Sequence, residues 1–154
     1  MADLFPALAL GDCLDEAQAV VLPFKIVTAA ITKGQAVKVS THVAGELGSI
    51  TVAVAGEKAH GVALKGGAVG EVIPVVLLGI VKVTAGSAIA VGSPVKSWTA
   101  GAAVVAVNTV TIPSGSTAVT SDAAQPTMTV ESGIACGIAL QGFANGDTGL
   151  ILLK

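Results

Sequence analysis

There is no tyrosine and no arginine among these 154 residues, and aromatic residues make up only 3% of them. Charged residues amount to 12%, with two histidines and two cysteines. Each shortage excludes a class of function. The eight positive charges are all lysines, scattered singly, and the net charge is −2 with a pI near 5.5. A nucleic-acid-binding surface needs clustered positive charge, so nucleic acid is not expected as a partner. Zinc sites take three or four Cys, His or carboxylate ligands at short spacings. His42, His60, Cys13 and Cys136 stand too far apart to supply them. The cysteines show no disulfide spacing either and read as two free structural thiols. The densest acidic group, Asp12, Asp15 and Glu16, lies in "DCLDEAQAVVLP". That stretch lacks the alternating oxygen ligands and closing Glu of a calcium loop.

Catalytic machinery is equally scarce. No Gly-x-Ser-x-Gly occurs, and no Ser or Cys has a base beside it. Cys136 opens an apolar strand, where a thiol is inert. The glycine-rich "GGAVGE" has no Lys-Ser/Thr after its last glycine and places Glu71 where a phosphate would be repelled. No catalytic, metal or cofactor-binding residue is expected, and the chain does not read as an enzyme.

Long apolar runs are missing too, although mean hydropathy is +0.84. A spanning helix needs about 20 consecutive apolar residues. The run from Val72 to Val81 is about half that length, contains Pro74 and Gly79, and is closed by Glu71 and Lys82. The uncharged stretch from Ser97 to Ser121 is broken by Gly101, Asn108, Pro113 and Gly115. No membrane association is expected. The opening "MADLFPALALGDCLDE" has no basic region before its short apolar run and does not read as a secretory signal.

What the chain does have is Ala, Val, Thr and nineteen glycines, within 53% hydrophobic residues. Small and β-branched residues punctuated by glycine suit short strands and tight turns. "SITVAVA" and "AVKVS" alternate with a period of two, as half-buried strands do. "VIPVVLLGIVKVT" is continuous, as a strand buried on both faces is, with an edge or bulge expected at Pro74. The length suits one domain, or one domain with an arm.

The pattern is written twice. "HGVALKGGAVGEVIPVVLL" from His60 returns as "CGIALQGFANGDTGLILLK" from Cys136. Gly61, Ala63, Leu64, Gly66, Ala68, Gly70 and Glu71 match Gly137, Ala139, Leu140, Gly142, Ala144, Gly146 and Asp147 without a gap. "AITKGQAVKV" (30–39) returns as "AIAVGSPVKS" (88–97). Gly34 to Gly61 spans 27 positions and Gly92 to Gly137 spans 45. The surplus of 18 falls in a Thr/Ser-rich stretch where "TVTIPSG" and "PTMTVESG" read as an added hairpin or long loop. The repeated sentence therefore encodes strand, turn, strand twice. The fold expected is all-β: a pseudo-symmetric small barrel or sandwich built from two β-units, about 24–81 and 82–154, in one domain over 23–154.

Residues 1–22 read as an N-terminal arm. They hold Asp3, Asp12, Asp15 and Glu16, no positive charge, and apolar residues around Pro6. "GDCLDEAQAVV" is the one stretch where a short helical turn is expected, with Asp12 as its cap. Leu4, Phe5, Pro6, Leu8 and Leu10 have no evident place in the repeated core and are the candidate partner-contact residues. An apolar extended segment of this kind gains by pairing with another protein.

The ordered positions Gly34, Val37, Gly61, Val62, Ala63, Gly70, Glu71, Gly79, Val81, Gly92, Val95, Gly137, Ala139, Gly146 and Leu152 resemble the small capsid cement, or decoration, proteins of tailed phages. The resemblance covers roughly residues 24–154, and the order of its glycine-and-aliphatic motifs carries it. It implies a β-rich virion protein on the outer surface of the capsid, made in the host cytoplasm. It further implies a homotrimer that clamps neighbouring major capsid proteins; the arm lies outside the resemblance, and its apolar residues alone make it the expected anchor. Two other classes fit the same composition. A biotinyl- or lipoyl-like carrier module would attach its cofactor to a hairpin lysine, for which Lys65 in "ALKGG" is the nearest candidate. A cell-surface or filament β-subunit would need an export route.

Overall fold

The computed structural model describes residues 9–14, 18–40, 48–55, 57–98, 103–106 and 135–154. The protein is all-β, and no helix occurs among the described residues. The strands are β1 (Val20–Ile26), β2 (Ala36–Val39), β3 (Ser49–Val52), β4 (Gly61–Ala63), β5 (Val72–Thr84), β6 (Pro94–Trp98), β7 (Ala103–Ala106), β8 (Gly137–Ala139) and β9 (Thr148–Leu153). They hydrogen-bond in the order β1-β3-β2-β4-β5-β9-β8-β6-β7, and β1 also pairs with β5. That extra pairing closes β1, β3, β2, β4 and the first part of β5 into a ring. The second part of β5 starts another ring through β9, β8, β6 and β7. This one is closed by a parallel bridge between Ala85 and Val104, with Gly86 N–H donating to the Val104 carbonyl at 2.8 Å.

The two rings use the same register. Ala36, Val62 and Val76 stand side by side on β2, β4 and β5, and Pro94, Ile138 and Leu152 do so on β6, β8 and β9. Individual hydrogen bonds repeat as well. His60 N–H donates to Val37 O, as Cys136 N–H does to Val95 O, each at 2.8 Å. Gly70 N–H donates to Ile26 O, as Gly146 N–H does to Ala85 O, each at 2.8 Å. Gly61 and Gly137 explain one of the shared glycines. A Cβ on either would lie 2.5 Å from a carbonyl oxygen, Val76 O or Leu152 O. Only glycine lets that crossing close.

Inside the first ring, Phe24, Ile26, Ile31, Val37, Ile50, Ala63, Ile73 and Val75 form one buried cluster. The second ring repeats the positions but redistributes the volume. Ile73 becomes Gly149 and Ile26 becomes Ala85, while Gly67 becomes Phe143, which is buried where a Cβ on Gly149 would collide with its ring. Close packing tolerates such exchanges when the total volume is kept. The core of the second ring also continues outward onto the first: Ala36, Ala53, Ala59, Val62 and Val76 join Val81, Val95, Cys136, Ile151 and Leu153 in one cluster. Ser97, fully buried, donates its hydroxyl to Ala53 O at 2.6 Å across this contact.

Four expectations are corrected here. The arm does not end at Leu22, because Val20–Leu22 already pair with β5 and Cys13 bridges Val81. Around Cys13, Gly11 N–H donates to Lys82 O and Leu14 N–H to Ile80 O. Asp12 caps no helix; Asp12 N–H donates back to Ala9 O in a turn. Pro74 marks no bulge, and on the β4 side it stands one residue past the last pair, Ala63 with Val75. It stands opposite Pro23, and Ile26 N–H donating to Glu71 O sets the ladder's phase so that this is a non-hydrogen-bonded pair. Neither missing N–H interrupts the β1–β5 ladder. The register shift lies instead between Val20 and Val21, opposite Leu78 and Val76. The boundary between units, expected at 81/82, falls at Leu78/Gly79 within β5, where β1 pairing gives way to β9 pairing.

Candidate interaction surfaces

The acidic side chains of the described residues mostly serve turns. The Asp12 carboxylate accepts the Ala9 N–H at 2.8 Å, Glu57 accepts the Val54 N–H at 3.0 Å, and Glu71 accepts the Ala68 N–H at 2.7 Å. Each closes the turn that its own backbone N–H also spans. The sequence shows the motif as Ala-Leu-Gly-Asp at 9–12, Ala-Val-Gly-Glu at 68–71 and Ala-Asn-Gly-Asp at 144–147. Its glycines are left-handed, with φ of 75°, 92° and 83°, the conformation that a turn with glycine third requires. The Lys33 ammonium pairs with Asp12, and Lys38 pairs with Glu57. Hydrogen bonds from these lysines first, and from the turn N–H groups second, lower both carboxyl pKa values.

The other candidate groups sit apart. His60 is exposed, and its Nδ1 accepts the Val39 N–H at 3.1 Å. Lys65 is exposed just past β4. Cys13 and Cys136 are buried and free, and burial pushes the Cys136 thiol up to about 11. Among the described residues no three of His, Cys, Asp and Glu come together as a metal site would need, and no helix is long and apolar enough to cross a membrane.

Of the arm residues expected to contact a partner, Leu4, Phe5, Pro6 and Leu8 lie outside the described residues, as does the Thr/Ser-rich insertion. Leu10 is described. It is 37% exposed and covers Gly34, where an added Cβ would meet its Cγ at 2.8 Å. The structure thus gives Leu10 a place in the fold, between two turns. The recurring Ala-x-Gly-acid motif at 9–12 was the signal that this segment belongs with the repeats.

Two apolar surfaces went unread in the sequence. One is a groove of about 420 Å³ lined by Leu14, Gln18, Leu78, Gly79, Ile80 and Leu152. The other is the open end of the first ring, where Leu22 and Val39 are 45% and 43% exposed. Both combine residues from distant parts of the chain, and strand alternation alone does not say which apolar side chains end up uncovered.

No family model matches the sequence, and no curated protein matches it. Among solved structures, the fold is similar to the crystal structure of the head fiber gp8.5 N base in bacteriophage phi29. The two superpose with a TM-score of 0.60 at 16% identity, over 89% of this chain and 95% of that one. The similarity is one of fold.

Proposed function

We propose that this chain is a structural virion protein of a tailed phage, which decorates the outside of the head and bridges neighbouring major capsid proteins. The observation that carries the reading is the fold likeness to a phage head fiber base over nearly the whole chain. The ordered glycine-and-aliphatic motifs point the same way independently. Exposed apolar side chains on a β scaffold support a role in protein contact. On this reading the partner is the major capsid protein, the working form is a homotrimer, and the N-terminal residues contribute to attachment.

Co-sedimentation of the purified protein with undecorated heads of its own phage tests the proposal. Saturable pelleting with the heads is expected, and it should persist when salt is raised, because no basic patch contributes screened attraction and apolar burial is not weakened by ions. Protein that stays in the supernatant at saturating concentration would contradict it.

A further inference from the structure

Within the chain, one ring already docks on the other. The flank of the first ring, the row Ala36, Val62 and Val76, is at most 2% exposed because it lies against the second ring's core. At the open end of the second ring, the inward-facing Val81, Ser97 and Leu153 are at most 1% exposed. The contact is heterologous, the side of one ring against the mouth of the other. Each repeat has both a side and a mouth, so among the described residues one of each is left over.

The leftover surfaces are identified by register. Leu22, Val39 and Leu77 hold in the first ring the positions that Val81, Ser97 and Leu153 hold in the second. There, however, Leu22 and Val39 are exposed and Leu77 is half-buried. Pro94, Ile138 and Leu152 repeat the buried row Ala36, Val62 and Val76, yet Pro94 is exposed and the other two half-buried. The 420 Å³ groove opens on this second flank, at Ile80 and Leu152. Leu140, the counterpart of the half-buried Leu64 that packs against the internal contact, is 40% exposed.

We infer that the mouth of the first ring receives the flank of the second ring from another copy of this chain. The occupant follows from continuity with the internal contact. The two uncovered surfaces are the repeat counterparts of the two that are already pressed together, and both rows are apolar. Such an interface is head-to-tail, and it closes into a ring of subunits or runs on as a filament according to the rotation at each step. A dimer that set mouth on mouth would have no counterpart inside the chain. The inference requires no capsid and stands apart from head binding.

The test uses the full chain and two exposed positions, Val39→Lys in the mouth and Leu140→Glu on the flank. Sedimentation velocity over a concentration series should show the parent associating and each variant at least tenfold weaker, with thermal melting confirming that both fold. An equal mixture of the two variants should form dimers and nothing larger, since one intact mouth meets one intact flank and both remaining surfaces are blocked. Should either variant melt early, Leu22→Gln and Leu152→Gln serve the same comparison. A parent that stays monomeric at its highest soluble concentration, variants that associate like the parent, or a mixture that fails to pair would each overturn the inference.

Discussion

Phe143 and Gly149 hold the second ring together by dividing their volume in the opposite way from Gly67 and Ile73 in the first. Phe143→Ala should cost about 3–5 kcal/mol, the usual loss for emptying a buried aromatic site. Gly149→Val alone should cost about 1–3 kcal/mol through overpacking against the ring. Made together, they should cost less than the two losses added, because the valine enters the space the phenyl leaves. A coupling of at least about 0.5 kcal/mol in denaturant unfolding is expected, and strict additivity would show that the two positions do not share a site. A second prediction concerns pH. Asp12 and Glu57 have folded pKa values below their ordinary 3.8 and 4.5. Their pairs therefore add stability above those values and lose it as pH falls through the lower, folded ones. The melting temperature should fall below about pH 4.5, and the double variant Asp12→Asn, Glu57→Gln should flatten that acid limb. The effect is small, since both pairs stand largely in solvent, and an unchanged limb in the variant would remove these pairs as its cause.

At the scale of elements, β5 is the part on which everything else is hung. One side of its second half pairs with β9, and residues 11–14 hold to the same stretch through Lys82 and Ile80. Among the described residues, removing 1–14 deletes three backbone hydrogen bonds to the rest of the chain, Gly11 N–H to Lys82 O, Lys82 N–H to Asp12 O and Leu14 N–H to Ile80 O. At about 0.5–1.5 kcal/mol each, with buried Cys13 lost as well, the truncated chain should unfold about 2–5 kcal/mol more easily. Denaturant melts of the two chains measure this, and equal midpoints would return residues 9–14 to the status of an arm. The strands of the repeats were legible because alternation and glycine turns are local signals. The pairing of 9–14 was not, because it depends on which strand edge is left open some seventy residues away. Pro74 misled for a related reason: its cost depends on the ladder phase, which the partner Pro23 fixes.

For the whole molecule, the doubling read from Gly61 and Gly137 onward is the doubling of the fold, down to single hydrogen bonds. The repeat could not say how its halves are joined. That they share one strand, and that one ring's side closes the other's mouth, depends on outward-facing residues such as Val62 and Val76. In sequence these look like any other core position. We propose that this doubled barrel decorates the surface of a phage head. Cryo-electron microscopy of undecorated heads incubated with the purified protein is the decisive measurement. Added density is expected on the outer surface, spanning boundaries between capsid proteins and fitted by the two-ring fold. Bare heads in the presence of saturating protein would contradict it.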